Sequence, residues 1–488
     1  MNLASRAVRG TAIILASSYV NMGFGVFYGI VMARLLDPTH FGVFALATFF
    51  TSLFDLRGKL GLDYAFIHRQ PTTDQLIATH WLLQIGASGI TLVLVIIASA
   101  FLPYLGYSST IIALSIALAG AMMVEAAGTT ARAALEKELV FARSTAIVTG
   151  SLFLSYLAAI ALAMQGYTYW ALVGQVAMNA AVSSLGFWWS YRQIGQRPSI
   201  RFGFEWAIAR WMLRFGIVMS LGAIATTILL QFDNFLVGTF VSAAALGYYA
   251  QAYKVAQWPT GLVTHIVARA SLPTYAKLQD DPARLSKAFE MSLWLILTTA
   301  TPLALAIFVA APDFLTLLYG QKWLPSAILL RFLIAYSVLR PLLDDTGALF
   351  TAIGRPQRIT TVLAIQAVTL IIIATPLTVT FGAVGTAIGV GIAFAVGIGL
   401  TYLYITQTIS LNVMRTFLPS IVATLCSIGL YMAIAQLIDL NAFSLLMRVA
   451  FKGSIAVGGF LAVMLLLERR LLLERAGYIW RLLRRGTA

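Results

Sequence analysis

Charge is scarce in this chain of 488 residues. Asp, Glu, Lys and Arg together make up 10% of it, where soluble globular domains carry about 25%. That scarcity excludes the row of soluble domains that length alone would suggest. Cysteine is nearly absent. The single Cys426 cannot form an internal disulfide and is expected to be a small residue of a helical core. The four histidines, His40, His68, His80 and His265, are scattered, with no HExxH pair to hold zinc. There is no phosphate-cradling Walker loop and no Asp-x-Asp. The acidic pairs Asp280-Asp281 and Asp344-Asp345 have no metal-ligand company. No cofactor, metal or catalytic centre is expected. No cleavable leader is expected either: the apolar run after Arg6 and Arg9 continues through Met32 without a small-residue cleavage site, so it reads as the first span.

What the chain has is hydrophobic length. Residues of the hydrophobic set make up 60%, gathered into fourteen stretches of roughly 20 residues, each enough to cross a hydrocarbon core about 30 Å thick. The expected spans run about 9–33, 41–62, 79–103, 109–129, 144–165, 168–190, 211–239 and 246–271, then 286–311, 325–352, 357–379, 383–405, 416–437 and 445–467. Runs this long are helices, not barrel strands, so the fold class is an all-α integral membrane protein. The formal net charge of +15 is mostly topological. With residue 1 in the cytoplasm, 26 of the 33 Lys and Arg fall on the cytoplasmic side. Arg34, Lys322, Arg448 and Lys452 fall outside, and Lys254, Arg331 and Arg340 within spans. This positive-inside bias predicts both termini in the cytoplasm, and argues against nucleic acid as a partner.

The chain repeats weakly. At an offset of 205 residues, Phe27, Gly42, Ala45 and Ala47 superpose on Phe232, Gly247, Ala250 and Ala252. Duplicated lobes with a site at their interface are the common plan of secondary transporters. The expected organisation is a six-helix lobe over 1–198, a basic linker over 199–210 and a second six-helix lobe over 211–410. A helix pair at 411–467 and a tail at 468–488 follow. Trp206, Ile208 and Trp211 suggest a linker lying on the membrane surface. The tail mixes Leu471, Ile479 and Trp480 with Arg475, Arg481 and Arg485, an amphipathic pattern that anionic lipid headgroups hold.

Five stretches carry a family resemblance: Ala33-Arg34-Leu35-Leu36-Asp37-Pro38 with Phe41-Gly42-Val43-Phe44; Asp233-Asn234-Phe235-Leu236-Val237-Gly238 with Leu246-Gly247-Tyr248-Tyr249; Leu272-Pro273 with Asp281-Pro282-Ala283-Arg284; Tyr319-Gly320-Gln321-Lys322-Trp323; and Ile353-Gly354-Arg355-Pro356. In this order, over about residues 10–410, they resemble the polysaccharide-transporter (Wzx-type) branch of the MOP superfamily. The resemblance implies a two-lobed, MATE-like bundle that flips a polyprenyl-diphosphate-linked oligosaccharide outward by alternating access. The setting it implies is synthesis of O-antigen, capsule or exopolysaccharide, with a polysaccharide polymerase as a possible partner. A MATE-like multidrug exporter is the nearer alternative. A membrane polysaccharide polymerase or ligase is the alternative of another class, though it would usually expose a large outer loop.

Ionisable groups within spans are costly and mark functional positions. On one continuous helix, Gln251, Lys254, Trp258, His265 and Arg269 share a face about 27 Å long, a cationic stripe suited to a diphosphate headgroup. Pro259 interrupts that phase. Otherwise Lys254 and Arg269 snorkel and His265 satisfies a carbonyl. Arg340 lies near mid-span with Asp344 four residues on, so the two share a face and could pair. Asp233 and Asn234 could couple transport to a cation, or Asp233 could partner Lys254. Asp55 and Lys59 read as an i,i+4 pair, and Arg331 as a residue that snorkels.

Overall fold

The computed structural model describes residues 3–193 and 203–485. Within these helices the side chains of 3–12, 15, 218, 219, 221, 262–266, 268, 269, 441 and 470–485 fall outside the description. So, too, do linker residues 199–202, and of the expected basic tail only the backbone to 485 and the first side chains are described. Every long element is a helix. The first eight are α1 Leu3–Leu35, α2 Pro38–Phe54, α3 Leu56–Lys59, α4 Leu62–His68, α5 Asp74–Phe101, α6 Ser109–Lys137, α7 Phe141–Met164 and α8 Thr168–Gln193. They are followed by α9 Trp206–Phe240, α10 Ala243–Ala256, α11 Trp258–Leu278, α12 Pro282–Tyr319, α13 Ser326–Ser337, α14 Arg340–Ala352, α15 Gln357–Thr406, α16 Val413–Leu437 and α17 Leu445–Arg485. Among the described residues, ten helices are long and apolar enough to cross a membrane.

The exposed surface is apolar and the interior is comparatively polar. On α5, Ile90, Val93, Ile96 and Ile97 are exposed, whereas His80, Gln84, Ser88 and Thr91 are buried along the opposite stripe. In lipid there is no gain from hiding leucine, so helices associate through small residues and hydrogen bonds. The α6–α8 contact shows both. A Cβ on Gly128 would come within 2.5 Å of Ser184 Cα, and Ser184 Oγ donates to the Val124 carbonyl at 2.8 Å. One turn on, the indoles of Trp81 and Trp188 both donate to the Ala127 carbonyl, at 3.1 and 2.6 Å.

Three expected spans are broken. The second ends at Phe54, not near 62. Asp55 turns the chain by accepting from the Gly58 amide at 3.3 Å, and Lys59 donates back to the Ser52 and Leu53 carbonyls. Asp55 and Lys59 thus each cap backbone, where an ion pair was expected. The eighth divides at Gln257, with Pro259 in the first turn of α11. The tenth divides into α13 and α14. The eleventh and twelfth are two arms of α15 joined at Gly382 (φ 62°, ψ −146°). The arms fold back on each other: Leu377 meets Gly385, and Gln366 meets Gly397. α9 begins at Trp206, so residues expected in a surface linker belong to it. Ile208 and Met212 are buried with Leu62, Phe66 and Leu76, and the Glu205 amide donates to Thr79 Oγ1 at 3.0 Å.

The chain divides into two compact units, one of residues through Ala250 with Leu370–Thr386, the other of Gln251–Thr369 with the remainder. Cys426 is exposed beside exposed Ile421, Leu425 and Leu430. It faces outward and is not the core residue expected, because Ala423 and Ser427 hold the packed face of α16.

Candidate functional site

In the second unit, the break at Gln257 takes the expected stripe apart. Gln251 is buried (2% exposed) and hydrogen-bonds the Tyr319 hydroxyl, while the Trp258 ring meets Phe314 edge-on at 6.2 Å. Both residues are therefore anchored to α12. Lys254, between them in sequence, is exposed, although Ala252, Val255 and Ala256 beside it are buried. His265 and Arg269 lie on α11, with side chains outside the description.

Arg340 opens α14 directly after the break and is half-buried. Asp344 is exposed one turn on. The charge of Arg340 acts on Asp344, but among the described residues the two close no ion pair, leaving both available. Arg331 is half-buried. It donates to the Phe308 carbonyl at 3.3 Å with its guanidinium over the Phe308 ring, so it is held by α12 and does not snorkel. In the first unit, Asp233 is buried (1% exposed) and accepts from the Tyr249 hydroxyl at 2.9 Å and the Asn234 amide at 2.8 Å. Asn234 donates to Gln231.

Two polar clusters escaped the sequence reading. The first is a cavity of about 270 Å³ in the first unit, lined by Arg57, Asp63, Glu125, Arg132, Asn179 and Ser183 among others. Arg57 pairs with Glu125 at 2.8 Å and Arg132 with Glu136 at 2.9 Å. Asp63 accepts from Gln84 at 2.7 Å and lies 3.3 Å from His80. Asn179 Oδ1 is buried without a partner among the described residues. Glu125, Thr129 and Arg132 recur at i, i+4, i+7 on α6, a single helix face. That face was legible, but its charges had been assigned to topology. The second cluster surrounds Asp345 in the other unit. It is buried (2% exposed) and accepts from the hydroxyls of Ser271 and Tyr275. An apolar groove of about 390 Å³ also opens on the second unit, lined by Leu297, Leu305, Phe308, Phe417, Ile421 and Leu425.

Residues 31–328, more than half of the chain, match the family described as polysaccharide biosynthesis protein. The chain belongs to that family. Among relatives of this polysaccharide biosynthesis protein is the lipopolysaccharide biosynthesis protein WzxC of Escherichia coli (strain K12). It is 25% identical over 360 residues, covering 73% of this chain and 72% of the relative. The fold is that of the lipid II flippase MurJ in an inward closed conformation (TM-score 0.71, 16% identity, 94% of this chain and 100% of that one). An inward-facing MATE-family multidrug transporter of the MOP superfamily shares it too (TM-score 0.64, 17% identity, 82% and 98%). The expected MOP-type fold is therefore present.

Proposed function

We propose that this protein is a flippase of the bacterial inner membrane. It moves a polyprenyl-diphosphate-linked oligosaccharide from the inner to the outer leaflet by alternating access, with both termini cytoplasmic. Membership of a polysaccharide biosynthesis family supports the pathway, and the flippase among its structural neighbours supports the kind of movement. The observation that carries the cargo assignment is the pair of cations on apolar spans of the second unit, exposed Lys254 and half-buried Arg340, with Arg57 and Arg132 on the cavity of the first unit. In low dielectric such cations attract an anionic headgroup. Gln251 and Trp258 supply hydrogen-bonding and stacking surfaces for sugar, and the apolar groove suits a lipid chain. Asp233, Asn234 and Asp344 are candidate charge partners or coupling residues.

The test is deletion of the gene in its host, followed by measurement of lipid-linked oligosaccharide in each leaflet. The gene is then restored as wild type, Lys254→Ala or Arg340→Ala. Accumulation on the inner leaflet that wild type clears and inserted, folded alanine variants do not is the expected result. Clearance by both variants removes Lys254 and Arg340 from the site. No accumulation, with surface polysaccharide unchanged in a host lacking a second flippase, overturns the assignment.

A further inference from the structure

Asp345 sits within α14 at a place where an ionised carboxylate is expensive. Its two acceptor oxygens are held from α11: Ser271 Oγ donates to Oδ1, and Tyr275 Oη donates to Oδ2 at 2.9 Å. Ser271 Oγ also lies 3.4 Å from Ser292 Oγ on α12. Among the described residues, the titratable groups that act on this cluster are Tyr275 from α11, Tyr402 from the second arm of α15 and Asp344 from its own helix. α12 contributes the neutral Ser292, and no ion pair reaches Asp345 among the described residues.

Tyr402 is the odd member. It is 6% exposed and stands close enough to Asp345 and Tyr275 to feel their charges, yet among the described residues its hydroxyl has no hydrogen-bond partner, so it does not donate to the carboxylate. The groups that do reach Asp345 are hydroxyls, and a hydroxyl can turn from donor to acceptor. A proton taken from water by an Asp345 oxygen would remove the isolated negative charge, and Ser271 or Tyr275 would accept from the new O–H in place of donating to the carboxylate. The proton needs no added volume.

We propose that Asp345, with Ser271 and Tyr275, is a proton-binding site of the second unit, loaded from water as carboxylate and hydronium become carboxylic acid and water. A role in coupling transport to a proton gradient rests on the flippase reading; the site itself does not.

The experiment uses the purified full-length protein in lipid nanodiscs, without cargo, and reads infrared difference spectra as pH is lowered. Wild type is compared with Asp345→Asn and Tyr275→Phe, each checked for folding by thermal unfolding. A carbonyl band of protonated carboxyl is expected in wild type. It should be lost in Asp345→Asn and shifted in Tyr275→Phe, and replacing KCl with NaCl should leave it unchanged. Identical spectra for wild type and Asp345→Asn overturn the proposal, as does a band that NaCl abolishes at fixed pH, which would make this a sodium site. If Asp345→Asn does not fold, the Tyr275→Phe spectrum decides: an unshifted band means that the titrating carboxyl is not Asp345 and overturns the proposal. Because no cargo is present, failure here leaves the flippase assignment standing.

Discussion

Gly42 of α2 and Gly247 of α10 meet backbone to backbone. A Cβ on Gly42 would sit 1.6 Å from the Ala243 oxygen, and one on Gly247 would sit 1.8 Å from the Pro38 oxygen. The two glycines are also the residues that superpose in the internal repeat, so the repeat touches itself through its own equivalent position. Valine at Gly247 must push the helices apart, at a cost of about 1–3 kcal/mol typical of overpacking. The melting temperature of the purified protein should fall by several degrees. An unchanged melting temperature would mean that the helices do not cross this closely.

Arg340 and Lys254 should differ in what replaces them. A guanidinium can grip a phosphate with two parallel hydrogen bonds, which an ammonium cannot. Arg340→Ala is expected to slow flipping by about 10- to 100-fold, the scale of one charge-assisted hydrogen bond. Arg340→Lys should recover only part of that rate. Lys254→Arg should retain most of the activity that Lys254→Ala loses. Leaflet-resolved assay of the lipid-linked sugar measures each.

Arg57 is 15% exposed and pairs with Glu125, which is 47% exposed; with one partner open to solvent the pair contributes about 1 kcal/mol at most. Arg57→Ala is therefore expected to leave thermal stability almost unchanged while reducing transport. A large drop in melting temperature with normal flipping would make the pair a structural clamp instead.

Gly382 takes a backbone conformation that residues with a Cβ avoid, at a cost of about 1–3 kcal/mol. Gly382→Ala should destabilise the α15 hairpin by that order. Thr378→Val, which removes the 2.8 Å bond to Thr386, should cost about 1 kcal/mol. Thermal unfolding of the two variants checks both.

Helix existence was legible because hydrocarbon demands long apolar runs, and Gly and Pro positions hinted at the breaks. The length of α2 was not, because Leu56, Leu60 and Leu62 extend the apolar count past the point where Asp55 turns the chain. Charge counting is silent on what the cations touch. Arg448 and Lys452, the apparent exceptions of the last helix, both face Asp313 of α12, at 3.5 and 2.6 Å. The positions of Lys254 and Arg340 could be singled out from charges within spans. The Asp345 cluster could not, since Ser271, Tyr275 and Tyr402 become neighbours only when α11, α14 and α15 pack.

The outward position of Cys426 has a practical side. A thiol flanked by Ile421, Leu425 and Leu430 on a lipid-facing surface is out of reach of charged, water-borne maleimides. Single-cysteine variants made elsewhere in the chain would thus carry one reactive label each on the native background, and movement of any helix could be followed without first removing the natural thiol.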